Sequence, residues 1–253
     1  MAQGRVALVT GASSGIGRAT AVLLAEQGAA VMAVARDADG LAQLSAETGV
    51  EHLTLSLEDP DACEQAVAET RRRLGPVEVL VNNAARGGFG EGRIWDQDPA
   101  EWRRSMALNL DAPFLLTRSC TADMRQLGWG RVVMTSSTAG QVGAPEMAAY
   151  CASKHGLIGL MRSVAQDIGT FGATCNAVLP GWTRTKMAQA DVEHEAAGRG
   201  VAADVVWAEH DASYPRGRVL EPEEIARVIV WLASDEAAAI NGEAVTAALG
   251  GLW

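Results

Sequence analysis

No run of about 18 apolar residues occurs in this chain of 253 residues, so no membrane-spanning helix is expected. Basic side chains are scarce: 21 Lys and Arg stand against 31 Asp and Glu, a formal net charge of −10. Nucleic acid is therefore not an expected partner, because phosphates call for a basic surface. The charge is read as solubility. Cysteine is sparse too. Cys63, Cys120, Cys151 and Cys175 are widely spaced, with no C-x-x-C pair, which suits a reduced, cytoplasmic setting. His52, His155, His194 and His210 lack metal-ligand spacing, and no catalytic metal is expected. Met1-Ala2-Gln3-Gly4-Arg5 leads into an apolar run without a signal-peptide pattern. Neither an internal repeat nor a low-complexity linker is visible, so a single domain over residues 1–253 is expected.

What is present is an alternation of strands and helices. Arg5–Thr10 reads as a buried parallel strand. The loop Gly11-Ala12-Ser13-Ser14-Gly15-Ile16-Gly17 follows, and then a helical run to Glu26. Glycines let a backbone turn tightly and approach a pyrophosphate, and the helix N-terminus offers N–H groups and a favourable dipole. Ala29–Ala35 reads as the second strand and ends at Arg36. An Arg there suits the 2′-phosphate of NADP, whereas an acid would suit the ribose of NAD. Asp37 and Asp39 lie close by, and the balance favours NADP(H) over NAD(H).

Further strands are expected over 52–57, 76–81, 131–135, 173–179 and 242–247, with helices between them. Pro113 should kink a long helix over 99–124, and Asn109 at that bend could hold a water. Residues 86–92 form a glycine-rich loop at a strand's carboxyl end, a plausible substrate wall. The charged, Ala-rich stretch after Pro180-Gly181 reads as a helical lid over about 183–216. The pattern is α/β, a doubly wound parallel sheet of Rossmann-like form.

One pair carries chemistry. Tyr150 and Lys154 are a helical turn apart and share a face if the segment is helical. A Lys cation there should favour the phenolate and make Tyr150 a general acid/base. Ser137, at the end of a strand, could orient the same oxygen. Cys151 points off that face and reads as packing.

These motifs, in this order, resemble the short-chain dehydrogenase/reductase family over nearly the whole chain, and most of all its 3-oxoacyl and polyketide ketoreductases. They are Thr10 to Gly17 with its own glycine spacing, Asn82-Asn83-Ala84, Asn109, Ser137 with Tyr150 and Lys154, and Pro180-Gly181 with Thr183 and Thr185. The resemblance implies hydride transfer between a nicotinamide cofactor and a ketone or secondary alcohol. Tyr150 would exchange the proton, Lys154 would lower its pKa and hold the nicotinamide ribose, Ser137 would hold the substrate oxygen, and Asn109 would place a relay water. Gly11, Ser13, Ser14, Gly15, Ile16, Gly17, Asn83, Ala84, Pro180, Gly181, Thr183 and Thr185 would border the cofactor, and Arg36 would meet its 2′-phosphate. The family implies a homotetramer, built on the helices of Asn109 and Tyr150 and on an apolar C-terminal end reaching Leu252 and Trp253.

Two positions depart from the family pattern. Ala85 stands where Gly is usual. Ser56, followed by Leu57, stands where an Asp usually touches adenine; its hydroxyl is a weaker partner. Trp182, Met187 and Trp207 suggest an apolar or aromatic substrate, or else lid packing. A cofactor-binding regulator or scaffold without turnover is the alternative, but it would predict a damaged tetrad, and all four groups are present. A dehalogenase-like relative would lack the glycine loop and carry Arg in place of Lys154.

Overall fold

Short, continuous apolar runs make strands buried on both faces, and such strands pair in parallel when helices cross between them. The computed structural model describes residues 4–88 and 90–251. The expected contribution of Leu252 and Trp253 to an interface lies outside them, as do Phe89 and the first three residues. Seven strands form one parallel sheet: β1 (Val6–Thr10), β2 (Ala30–Ala35), β3 (Glu51–Thr54), β4 (Val79–Asn82), β5 (Gly130–Thr135), β6 (Ala173–Pro180) and β7 (Ala244–Ala247). Their spatial order is β3-β2-β1-β4-β5-β6-β7. The order reverses between β1 and β4, so the carboxyl ends of those strands frame a crevice.

Alternate residues of each strand feed opposite faces. Ala7 and Val9 of β1 join one core, and Leu8 joins the other. On the first side lie α1 (Gly15–Glu26), α2 (Ala38–Thr48) and α9 (Pro222–Leu232). On the second lie α3 (Pro60–Arg73), α5 (Ala112–Leu127) and α6 (Ala148–Gly169). The expected lid is two helices, α7 (Lys186–Arg199) and α8 (Ala203–Ser213).

Several boundaries differ from the sequence reading: β4 begins at Val79 and not at Pro76, and β7 at Ala244 and not at Gly242. β3 ends at Thr54, short of Leu57. The long helix over 99–124 is not simply kinked at Pro113. It is α4 (Pro99–Met106), a π-helical turn over Ala107–Asp111, and then α5, with Pro113 in the first turn of α5. A proline there gives up an N–H that its helix start can spare, and the irregularity falls one turn earlier, at Asn109.

Two glycines set the shape of the crevice. Gly11 has φ of +66° and would place a Cβ 2.9 Å from the backbone of Ala84. Gly17, inside α1, is buried, and its Cβ would fall on the carbonyl oxygen of Gly11. The loop folds back on its own helix only because both lack side chains.

Candidate active site

The crevice is one cavity of about 460 Å³ at the carboxyl ends of the strands. Its first wall is the β1–α1 loop, where Gly11, Ser13, Ser14, Gly15 and Ile16 all line it. Ser14 is the residue before α1, and its side chain makes no capping bond. The first-turn N–H groups therefore have no side-chain cap and suit an anion. Gly15, at φ of +53°, would bring a Cβ within 3.0 Å of Thr185. A dinucleotide's pyrophosphate thus finds open backbone donors and no side chain in the way, so these residues fit that group. Gly17 does not line the cavity. Its missing side chain lets α1 pack against the carbonyl of Gly11.

Asn83 and Ala84 form the second wall. Thr10 Oγ1 accepts hydrogen bonds from the main-chain N–H of Asn83 at 2.9 Å and of Ala84 at 3.0 Å. The Asn83 amide donates to the carbonyl of Thr10 at 3.1 Å. Ala85 also lines the cavity and does not have a positive φ, so the methyl in place of Gly costs no strain. Pro180, Gly181, Thr183 and Thr185 complete this side. Thr185 Oγ1 accepts from Ala188 N at 3.1 Å and caps α7.

At the adenosine end, Ala35, Arg36, Asp37, Leu55 and Leu57 line the cavity. Ser56 does not; it is exposed. Its neighbours Leu55 and Leu57, two apart, face the cavity, and Ser56 between them faces the other way. Arg36 is 62 % exposed and pairs with Glu58 at 3.2 Å. Asp37 caps α2, accepting from Gly40 N at 3.1 Å, and Lys186 Nζ stands 3.8 Å from its carboxylate.

At the other end, Ser137, Tyr150 and Lys154 line the same cavity. Ser137 follows the end of β5, and its Oγ accepts from Ala139 N at 3.1 Å. It also hydrogen-bonds the Tyr150 phenol. Lys154 is 2 % exposed. Its ammonium donates to the carbonyl of Thr135 at 2.8 Å and lies 5.5 Å from the Tyr150 ring centre.

Asn109 is fully buried and is not part of the cavity wall. Its amide donates to the carbonyl of Arg86 at 2.8 Å and to Ser153 Oγ at 3.0 Å, and its oxygen accepts from Arg86 N at 2.9 Å. The side chain clamps the start of the glycine-rich loop.

The protonation states differ from expectation. Burial pushes Tyr150 up to about 12, Asp191, Cys151 and Glu91 push the same way, and the bond to Ser137 opposes them. Burial pushes Lys154 itself down to about 8. In this structure desolvation, not the ammonium, dominates the phenol.

Sequence reasoning missed three groups. Asp191 of α7 and Tyr214, just after α8, both line the cavity, and the Tyr214 hydroxyl accepts from Trp182 N at 2.6 Å. Glu91 binds the start of α6. Only the rarity of tyrosine and an acid within the glycine-rich loop could have hinted at two of them. Trp207, expected near substrate, does not line the cavity. It packs in the lid, edge-on to Trp182 at 6.2 Å between ring centres, with Arg184 over its face at 4.6 Å. Among the described residues no cluster of three or more His, Cys, Asp or Glu could hold a metal ion.

A family model described as enoyl-(acyl carrier protein) reductase matches residues 11–251. The 3-oxoacyl-[acyl-carrier-protein] reductase FabG of Escherichia coli (strain K12) is 36% identical over 243 residues, covering 95% of this chain and 94% of that protein. The crystal structure of an actinorhodin polyketide ketoreductase variant with NADPH superposes with a TM-score of 0.93 at 35% identity, covering 100% of this chain and 99% of the other. The crystal structure of an NAD+-bound xylitol dehydrogenase gives a TM-score of 0.90 at 30% identity and covers 99% of each chain.

The buried lysine predicts a linkage. A lysine at about 8 in the fold and 10.5 in its ordinary state binds fewer protons folded than unfolded between those values, so stability rises with pH across that window. Buried thiols such as Cys63, pushed up to about 11, act the opposite way, so the difference from a variant isolates the lysine. Without added cofactor, the urea midpoint of wild type should gain on that of Lys154→Met as pH goes from 7 to 9.5. Parallel midpoints would mean that Lys154 titrates in the fold as it does in the unfolded chain, and is not held down by burial.

Proposed function

The chain belongs to the short-chain dehydrogenase/reductase family and is a nicotinamide-dependent oxidoreductase of ketones and secondary alcohols; we propose that Tyr150 is its proton donor and acceptor. The observation that carries this reading is that Ser137, Tyr150 and Lys154 share one cavity with the glycine loop at the N-terminus of α1. A nicotinamide bound there supplies the hydride in reduction and takes it in oxidation. Ser137 and the Tyr150 hydroxyl, already bonded to one another, hold the substrate oxygen from one side. In reduction the O–H bond of Tyr150 breaks as the carbonyl oxygen gains its proton, giving the alcohol. Lys154 holds the nicotinamide ribose and keeps a positive charge beside the phenol as it loses its proton. The helices α7 and α8 are the substrate lid, with Trp182 and Met187 making that wall apolar.

The preferred cofactor is NADP(H). Ala35 ends β2 without a carboxylate, and Arg36 at the cavity rim meets the 2′-phosphate with a planar fork. Glu58, its present partner, competes for it, and an exposed pair of this kind is weak enough to exchange. The protein works as a homotetramer in the cytoplasm. Trp102 on α4 and Phe114 on α5, 38% and 47% exposed, leave apolar surface on the long helix for a second copy. No helix among the described residues is long and apolar enough to cross a membrane.

Three measurements test these proposals. Against a panel of ketones and secondary alcohols with both cofactors, wild type should turn over and Tyr150→Phe should not, with cofactor binding kept; full activity in the variant sinks the role of Tyr150. Arg36→Ala should weaken NADPH by about 1.5–3 kcal/mol, the scale of a charge-assisted hydrogen bond, and leave NADH nearly unchanged. Equal losses for both cofactors would make Arg36 an ordinary surface charge. Sedimentation at micromolar concentration should find a tetramer; a monomer counts against the assembly.

A further inference from the structure

The helix that carries Tyr150 lacks an N-cap of its own. Met147 stands at the cap position, and its side chain makes no capping bond. The cap arrives instead from a loop 58 residues earlier in the chain. Glu91 Oε2 accepts from Ala149 N at 2.9 Å, and Glu91 Oε1 accepts from Tyr150 N at 3.1 Å. Gln97 Nε2 donates to the same carboxylate at 3.2 Å. A carboxylate at a helix N-terminus satisfies orphan donors and suits the dipole. Here one of those donors is the N–H of Tyr150 itself.

The loop needs such a hold. Gly87, Gly88, Gly90 and Gly92 all have positive φ, and a run of this kind has little stiffness of its own. It wraps closely. A Cβ on Gly87 would fall 2.7 Å from Glu91 Oε1 and 3.5 Å from the Tyr150 ring. Asp191 and His194 of α7 face Gly88 and Gly90 from the lid side. The loop is thus caught between the lid and the start of α6, and its firm polar anchor on α6 is Glu91.

We propose that Glu91 is a positioning residue: by capping α6 from the glycine-rich loop, it fixes the Tyr150 phenol against Ser137 and closes the loop over the cavity. This rests on the reading of Tyr150 as the acid/base. Burial raises the Glu91 carboxyl above its ordinary value, against the pull of its backbone hydrogen bonds. Of the titratable groups near it, Tyr150 lies against Gly87 beside Glu91, Asp191 and His194 of α7 face the loop at Gly88 and Gly90, and Arg93, two residues further on, pairs with Glu146 at 2.8 Å. As pH falls, protonation of Glu91 would weaken its hold as an acceptor.

The chain has only 2 tyrosines, which makes the test direct. In protein labelled at tyrosine Cζ, Tyr150→Phe assigns one resonance and leaves the other to Tyr214. Glu91→Ala should lower kcat about ten- to a hundredfold, the scale of a misplaced reacting group, with the dissociation constant for NADPH unchanged. Glu91→Gln keeps one acceptor and should lose less. In both variants the Tyr150 resonance should shift at neutral pH as the phenol leaves its place against Ser137; the Tyr214 resonance should stay. A folded Glu91→Ala with wild-type kcat, or an unmoved Tyr150 resonance in either variant, overturns the proposal. If Glu91→Ala fails to fold, Glu91→Gln and its spectrum decide alone. A wild type that turns over no ketone would overturn the role of Tyr150, yet the spectrum would still read the hold of Glu91 on it.

Discussion

The hydrogen bond from the Lys154 ammonium to the carbonyl of Thr135, 2.8 Å long, joins the catalytic helix to the sheet. Burying a cation is costly unless its donors find partners, so this contact can exist only where α6 lies hard against the end of β5. A second bond, from Ser136 Oγ to the Lys154 carbonyl at 3.0 Å, locks the same turn from the other side. One residue on, Ser137 reaches the phenol one helical turn before Lys154. The placing of Lys154 is therefore inherited from the packing of α6 against the end of β5.

Asn109 extends that frame to the flexible side of the cavity. Through Ser153, whose Oγ donates to the Tyr150 carbonyl at 2.8 Å, it touches the catalytic helix. Through both main-chain groups of Arg86 it holds the start of the glycine-rich loop. The π-helical turn is what presents this side chain inward, since an extra residue in the turn rotates it relative to a regular helix. Asn109 and Glu91 thus secure the loop at both ends to one helix, and the loop's glycines only have to connect them.

Most of the fold was legible because it rests on local signals: apolar runs for the strands, glycine at the turns, and proline at the helix starts. Tyr150 and Lys154 were legible for the same reason, as a helical spacing puts them on one face whatever surrounds them. Other features depend on contacts between distant segments. The early end of β3 follows from where its pairing with β2 stops, at Ala35 and Thr54. The packing role of Gly17 requires knowing that the carbonyl of Gly11 folds back onto it. Trp207 reads equally well as substrate wall or lid packing until α8 is placed. Glu91 stood out only as an acid within a glycine-rich loop, and its role was not legible because its partners are two main-chain N–H groups far along the chain.

The electrostatics of the site then follow from burial more than from pairing. Desolvation moves both central groups toward their neutral forms, the phenol up to about 12 and the ammonium down to about 8. A phenol in that condition is protonated at neutral pH and is an acid before it is a base. It is a weak acid toward a ketone but a strong one toward the alkoxide that hydride addition creates, so the proton need move only after charge has begun to build on oxygen. Ser137 already donates to or accepts from that phenol, and Asp191 and Glu91 oppose its ionisation. On the proposed reading of Tyr150, the free energy that lets it ionise would come from groups that stabilise its anion, and Lys154, held to the Thr135 carbonyl one turn on, is a cation placed to supply it.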